Sequence, residues 1–133
     1  GSGYGDGSGS GYGYGSKITW VERYAAARDA WSEATRELLM RAERTASAIA
    51  FWKSDAHGLP ANGGSDTEAA ERGLVREVAG PLEICTKNAL HATMEPDKWQ
   101  GSRVWVVALY GDLQVESDKF GALKREIIGE IFS

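Results

Sequence analysis

The sequence predicts an α+β fold, in which a long N-terminal helix, continuous or broken, precedes a small mixed β-sheet with one short helix. Two observations predict this fold class. Residues 20–52 repeat apolar or small side chains at spacings of three and four, with no glycine or proline among them, as a helix does. After residue 73, short apolar segments alternate with turn-forming residues, as the strands of a sheet do. Residues 17–133 are enough chain for one compact domain.

Residues 1–16 form a Gly-X repeat that we expect to be a flexible tail. Eight of the 17 glycines occupy alternate positions there, and the X residues are Ser, Tyr and Asp. Because glycine loses more backbone entropy on ordering than any other residue, three tyrosines are too few to hold this segment in a fold. The alternative is a segment whose tyrosines make weak contacts with copies of itself, with glycans or with bases.

A helical segment is predicted for residues 17–52. Thr19 and Glu22 match a capping box, so the helix should begin there. A helix of about 30 residues would be roughly 45 Å long, which exceeds the width expected of this domain. Either the helix breaks near Ala46, or its apolar stripe extends beyond the domain and makes the protein a homo-oligomer. The alternative to self-association is that the apolar stripe packs against the sheet as part of the hydrophobic core. The self-association candidates in this stripe are Trp20, Tyr24, Trp31 and Leu38.

Two further regions follow the helical segment. Residues 53–72 read as a Gly/Pro/Asn-rich loop, and residues 73–133 as a strand-rich module. One strand of that module is apolar throughout, which indicates a central strand covered on both faces. The C-terminal segment fits either a helix or a strand, and the strand is favoured. The predicted strands are 74–78, 82–85, 90–93, 104–110, 113–116 and 124–128, with one helical turn at 95–99.

Charge and cysteine content exclude several classes of function. The chain has 15 Lys+Arg and 19 Asp+Glu, a formal charge of −4, so strong nucleic-acid binding or attachment to an anionic membrane is not expected. No run of 18 apolar residues predicts a membrane span. Cys85 is the one cysteine, and His57 and His91 lack metal-ligand spacing. Neither a metal nor a cofactor is therefore predicted.

Polar and aromatic side chains between residues 52 and 119 are candidates for a pocket that takes an anionic or aromatic ligand. The ligand-binding candidates are Trp52, Lys53, Asn62, His91, Thr93, Trp99 and Lys119. The alternative places Trp99 in the core and pairs Lys119 with a carboxylate on a solvated turn. Cys85 and His91 form a conceivable nucleophile pair, but a buried cysteine packed as a small hydrophobic residue is favoured.

Four short motifs carry a resemblance to a known group of proteins. They are Trp-Lys-Ser-Asp at 52–55, Pro-Ala-Asn-Gly-Gly at 60–64, Ala-Leu-His-Ala-Thr at 89–93 and Lys-Arg-Glu-Ile-Ile at 124–128. With the Gly-Tyr-Ser-rich repeat, the chain resembles small uncharacterised proteins encoded by tailed bacteriophages and prophages. The resemblance implies a non-enzymatic accessory protein in the bacterial host cytoplasm or on the virion, which binds a host or virion component.

A second resemblance concerns the order of elements in the second half of the chain. A strand at 90–93, a short helix with Trp99 and then an apolar strand are similar to part of the split sheet of ADP-ribosyltransferases. This similarity implies a nucleotide- or NAD-binding module, or an enzyme, in which a histidine and a later glutamate hold NAD. Its catalytic candidates are His91, Thr93 and Glu126, with Glu116 as another choice for the glutamate. The non-enzymatic function is favoured, and this one is the alternative.

Overall fold

A computed structural model describes residues 19–62 and 68–132, which form two helices and one antiparallel sheet. The tail at 1–16, predicted to be flexible, and residues 63–67 of the predicted loop lie outside the described residues. The elements are α1 (Trp20–Ala30), α2 (Glu33–Thr45), β1 (Ala48–Ser54), β2 (Val75–Glu77), β3 (Leu90–Thr93), a 3-10 turn (Pro96–Lys98), β4 (Arg103–Tyr110), β5 (Gln114–Glu116), β6 (Lys119–Ala122) and β7 (Lys124–Ile131). The seven strands lie in the order β2-β7-β4-β1-β3-β6-β5.

The predicted long helix is wrong, because two short helices replace it. α1 begins at the capping box of Thr19 and Glu22, as predicted, but it ends at Ala30. Trp31 then takes an extended conformation, and the Ser32 side chain accepts a hydrogen bond from the N–H of Thr35 to cap α2. Both helices pack on the same face of the sheet, so the three-and-four spacing of apolar residues continues across the break. The spacing alone therefore concealed the interruption.

The sheet is larger than predicted and wholly antiparallel, so the prediction of a small mixed sheet is also wrong. The helical segment 17–52 ends at Thr45, and its last residues belong to β1. In β1, Ile49 and Phe51 face the helices, whereas Ala50 and Trp52 face the other side. Because both faces are covered, the strand is apolar throughout, and a continuous apolar segment of this kind is hard to distinguish from a helix by periodicity.

Most of the other predicted strands are present. The segments 90–93, 104–110 and 124–128 are confirmed as β3, β4 and β7, and the 3-10 turn confirms the predicted helical turn. β4 is buried along nearly its whole length, as expected of a central strand. The strand predicted at 82–85 is wrong, because this segment forms turns in which Cys85 has a positive φ of 67°. β6 was missed, since its sequence contains one large apolar residue, Phe120, beside a glycine.

The helices cover one face of the sheet with their aromatic side chains. The ring of Trp20 lies 5.8 Å from that of Phe51, and Tyr24 lies 6.3 Å from the same ring. Trp31 donates a hydrogen bond from Nε1 to the carbonyl oxygen of Glu130 at 2.9 Å. A Cβ at Gly129 would approach the Trp31 ring to 2.7 Å, so β7 needs a glycine where α1 ends.

The four self-association candidates thus contact this chain's own sheet. Trp20, Tyr24, Trp31 and Leu38 are partly buried against the cluster that contains Phe51. This placement corresponds to the alternative in which the stripe is core. Self-association through these residues stays a prediction.

The sheet curls strongly around the face that carries Trp52. β6 and β7 are separated by three strands in the sheet but only by Leu123 in the chain. Arg125 on β7 reaches the carbonyl oxygen of His91 on β3 at 3.4 Å, across two intervening strands. Neighbouring strands lie about 4.8 Å apart, so a flat sheet would keep these groups too far from each other. The carbonyl oxygen of Leu123 accepts a hydrogen bond from the N–H of Val78 at 2.9 Å, which ties this corner to the end of β2.

Candidate functional site

A cavity of about 860 Å³ lies on the face of the sheet opposite the helices. Its floor includes Trp52 of β1, and its walls come from the loop at 60–62, from β2, from the turns before β3, and from the residues after the 3-10 turn. The β5–β6 turn and Arg125 of β7 complete the enclosure. This volume lies in the range of about 300–1,000 Å³ typical of small-molecule sites.

The cavity wall is strongly cationic in a chain that is acidic as a whole. Five of its lining residues are lysine or arginine, and Asp118 is its one carboxylate among the described residues. The whole chain has more acidic than basic residues and a formal charge of −4. A concave surface lined by one sign of charge concentrates the electric field and attracts small ions of the opposite sign. The five cationic residues are Arg76, Lys87, Lys98, Lys119 and Arg125.

Two arginines lie directly opposite each other on adjacent strands at the cavity wall. Arg76 of β2 and Arg125 of β7 are register partners. Arg125 is only 4% exposed, and its guanidinium lies 4.5 Å from the ring centroid of Trp52. Burial, together with the nearby positive charge of Arg76, lowers the pKa of Arg125 to about 10. Arg125 therefore stays protonated at neutral pH, and the sheet keeps two like charges face to face.

Asp118 is fixed by Thr93, which does not itself line the cavity. The Thr93 hydroxyl donates to Oδ2 of Asp118 at 2.8 Å and accepts a hydrogen bond from the N–H of Glu95 at 2.9 Å. The hydrogen bond from Thr93, with smaller effects from Lys98 and Trp99, lowers the pKa of Asp118. This carboxylate is therefore ionised at neutral pH and held in one orientation.

The rim beside Trp99 is fixed by two side chains from the first half of the chain. Asn62 donates from Nδ2 to the carbonyl oxygen of Gln100 at 2.6 Å, and its Oδ1 accepts from the Gln100 N–H at 2.8 Å. Lys53 donates from Nζ to the carbonyl oxygen of Trp99 at 3.1 Å. Asn62 lines the cavity, whereas Lys53 acts behind it by holding the backbone of Trp99.

Cys85 and His91 meet at the cavity wall, but not as a nucleophile and its base. The backbone N–H of Cys85 donates to Nε2 of His91 at 2.9 Å, and the Cys85 thiol contacts Oε1 of Glu116 at 3.2 Å. The hydrogen bond to Glu116, together with desolvation, raises the pKa of the Cys85 thiol. Desolvation, with Lys119 and Arg125 nearby, lowers the pKa of His91. The thiol thus stays protonated, and the expectation of a buried cysteine is wrong, because Cys85 is exposed.

The acid unfolding of the protein should depend on His91. Its pKa is lower in the folded chain than in the unfolded chain, so its contribution to stability is present above its ordinary pKa of 6.5 and is lost as the pH falls through the folded value. We expect the free energy of unfolding of His91→Gln to fall less steeply between pH 7 and pH 5, because glutamine does not titrate. The glutamine oxygen can still accept the hydrogen bond from the Cys85 N–H. Urea unfolding at several pH values measures this.

The matched control for the acid-unfolding experiment is His57→Gln, since His57 is exposed in the loop after β1. It should keep the pH dependence of the unmodified protein. Equal slopes for all three proteins would contradict the effect assigned to His91.

The three catalytic candidates are not brought together. Glu126 is the neighbour of Arg125 in β7, and side chains alternate between the faces of a strand. Its carboxylate accepts from Tyr110 at 2.7 Å and lies 3.5 Å from Arg41 of α2, on the face covered by the helices. The sheet therefore separates Glu126 from the cavity that His91 lines. Thr93, the third candidate, does not line the cavity and instead holds Asp118 in place.

The structure brings five of the seven ligand-binding candidates to one cavity. They are Trp52, Asn62, His91, Trp99 and Lys119, while Lys53 and Thr93 hold neighbouring wall residues in place. That these residues bind a ligand stays a prediction. Sequence reasoning missed Arg76 and Arg125. An arginine inside an apolar strand segment is the available signal, since a charge on a half-buried surface is unusual there.

No known protein family, no curated protein and no solved structure matches this chain. The predicted partner protein, the homo-oligomer and the bacterial or virion location stay predictions. Neither helix in the described part of the chain is long and apolar enough to cross a membrane. Within residues 19–62 and 68–132, no three His, Cys, Asp or Glu side chains are grouped so as to hold a metal ion.

Proposed function

We propose that this protein is a non-enzymatic module that binds a small organic anion in the cationic cavity. The observation that carries the proposal is the cavity wall, whose described residues include five cations and one carboxylate, in a chain whose total charge is negative. A binding site for an anion explains this local reversal of charge. It also explains why the cations come from strands and turns that are distant in the sequence.

The Arg76–Arg125 pair supports the proposal through its cost to the fold. Like charges directly opposite each other on neighbouring strands destabilise a sheet, and a desolvated guanidinium adds to that cost. An anion bound between the two groups would offset both effects.

Binding, rather than catalysis, is favoured by the hydrogen bonds of the reactive side chains. Nε2 of His91 accepts from a backbone N–H, the pKa of the Cys85 thiol is raised, and Asp118 is held by Thr93. A general base must lie within hydrogen-bond reach of the proton that it removes, and a nucleophile needs an activating partner. Each of these groups is instead used to position the wall.

Calorimetric titration of the full chain with aromatic carboxylates, aromatic phosphates and their neutral parent compounds tests the proposal. We expect the anions to bind and the neutral compounds to bind much more weakly. Arg76→Met should weaken anion binding by about tenfold or more, since a charge-assisted hydrogen bond contributes about 1.5–3 kcal/mol. Affinity should also fall as salt is added, because the attraction is electrostatic.

Lys124→Met is the matched control for Arg76→Met. It removes the same charge from the strand next to β2, but Lys124 lies over the ring of Tyr110 at 5.3 Å, on the face covered by the helices. Its anion affinity should stay close to that of the unmodified protein. An equal loss in both variants, or no binding of any anion, would refute the proposed function.

A further inference from the structure

We infer that the anion taken by the cavity is an aromatic acid, whose planar ring stacks on the side chain of Trp99. This inference deepens the proposed function and rests on it. It concerns the uncharged part of the ligand, while the cations of the cavity wall attract its charged group. Aromatic acids should therefore bind in preference to aliphatic acids of the same size.

The backbone of Trp99 is held from both sides. Its N–H donates to the carbonyl oxygen of Pro96 at 3.0 Å, and its carbonyl oxygen accepts from Nζ of Lys53 at 3.1 Å. The next residue, Gln100, uses both its N–H and its carbonyl oxygen in the pair of hydrogen bonds with Asn62. Because the ring is carried by a fixed backbone, little conformational freedom is lost when a ligand packs on it.

The side chain of Trp99 is placed by Asp118, which is itself held by Thr93. Thr93 is fully buried, and its hydroxyl donates to Oδ2 of Asp118 at 2.8 Å. This hydrogen bond is the largest cause of the lowered pKa of Asp118, and a hydrogen bond from the Trp99 side chain is another. The indole has one donor, its Nε1–H, so this contact directs the polar edge of the ring toward the carboxylate. A ligand in the cavity would then meet the apolar face of the ring.

Trp99 also differs from the other tryptophans in what packs on its ring. All five tryptophans lie in the described residues, and four of them have a cation or a second aromatic ring against them. Within residues 19–62 and 68–132, no such group lies against Trp99, which lines the cavity. The four contacts are Arg23 over Trp20, Tyr24 beside Trp31, Arg125 over Trp52 and Arg103 over Trp105.

A planar ring gains more from the Trp99 surface than an aliphatic group does. Aromatic rings stack in an offset arrangement, and such a pair contributes more than the area that it buries. Trp99 is half-buried and packs in part against the hydrophobic cluster on this face of the sheet, which supports the ring from behind. The cavity volume of about 860 Å³ accommodates two fused rings together with a charged group.

The test is calorimetric titration of the full chain with 2-naphthoate and adamantane-1-carboxylate. Both compounds are carboxylates at neutral pH with the same number of skeleton carbons, but adamantane is a rounded cage that cannot stack. We expect 2-naphthoate to bind about tenfold more tightly. Trp99→Leu should weaken 2-naphthoate to the affinity of adamantane-1-carboxylate and leave the latter unchanged, which shows that the cavity is intact. Trp99→Phe keeps a ring and should retain the preference.

Lys53→Met tests whether the position of the ring matters. Lys53 holds the Trp99 backbone from behind the cavity wall, so its loss should reduce the preference for 2-naphthoate severalfold without changing the affinity for adamantane-1-carboxylate. Lys124→Met removes the same charge on the face covered by the helices and should change neither affinity. An equal loss for both acids in Lys53→Met would contradict the positioning role of Lys53.

Alkylation of Cys85 shows where the acid binds. Cys85 is the one cysteine, is exposed and lines the cavity, so iodoacetamide labelling followed by mass spectrometry reports occupancy of this site. We expect 2-naphthoate to slow the labelling severalfold, whereas the neutral naphthalene-2-carboxamide at the same concentration should not. Labelling that 2-naphthoate leaves unchanged would contradict its binding in this cavity.

The outcomes separate this inference from the proposed function. Equal affinities for the two acids, both weakened by Arg76→Met, would overturn the aromatic ring and leave the anion-binding module in place. A preference for 2-naphthoate that survives Trp99→Leu would overturn the assignment of the ring to Trp99. If neither acid binds, both proposals fail.

Discussion

Replacing Arg125 by methionine should stabilise the fold and, at the same time, strongly weaken anion binding. The side chain is 4% exposed, and its charge lies directly opposite that of Arg76. Methionine has a similar length and needs no solvation, so its introduction removes both the desolvation penalty and the repulsion. The lost contacts include the stack on Trp52 and the hydrogen bond to the carbonyl oxygen of His91. We expect a net gain of about 1–2 kcal/mol in the free energy of unfolding and a loss of anion affinity of about 100-fold.

Urea unfolding and calorimetric titration of Arg125→Met measure the two effects. Arg125→Lys is the control, since it keeps the buried charge but lacks the planar fork, and it should gain no stability. A loss of stability in Arg125→Met would show that the contacts of this arginine outweigh the cost of burying its charge. Anion affinity that survives this substitution would contradict its role in the cavity.

Trp52→Leu should have the largest effect on stability. Trp52 is 5% exposed, belongs to the hydrophobic cluster on the cavity face and lies directly opposite Trp105 in the β1–β4 pair. Leucine leaves part of the ring volume empty, so we expect the free energy of unfolding to fall by about 3 kcal/mol. Arg125 would also lose the ring on which it lies, and anion affinity should fall with it. Urea unfolding and titration measure both changes.

A double-variant comparison identifies the contact responsible. Trp52→Leu made in the Arg125→Met background should cost less stability than in the unmodified protein, by about 0.5–2 kcal/mol, because the cation–ring contact is already absent. Trp99→Leu is the matched control, since Trp99 lines the same cavity but is only half-buried. It should destabilise the fold less than Trp52→Leu. Strictly additive effects of Trp52 and Arg125 would argue against their coupling.

The local signals in the sequence predicted individual elements better than their assembly. The capping box of Thr19 and Glu22 and the apolar strand 104–110 were both read correctly, because each depends on neighbouring residues alone. The size of the sheet was not predictable in this way. β1 follows α2 closely and is covered on both faces, so its sequence lacks the alternation that distinguishes a strand from a helix.

The cavity was partly predictable from residue types. Aromatic and polar residues such as Trp99 and His91 stand out near turns, and the structure places both at the cavity. The arginine pair was not predictable, because it depends on the register of β2 against β7. These two strands are about 50 residues apart in the sequence and are not joined by a short turn. Pairing over such a distance leaves no local trace in the sequence.

The single-residue corner at Leu123 makes the sign of the cavity's charge sensitive to chain length. β7 starts immediately after β6, so no loop there can absorb an added or missing residue. A shift of one position would exchange the faces of every β7 side chain. Arg125 would then turn toward the helices, and Glu126 would enter the cavity beside Arg76. An insertion or deletion at this connection between the described strands would therefore replace a guanidinium in the cavity by a carboxylate. The cavity would then attract anions less strongly.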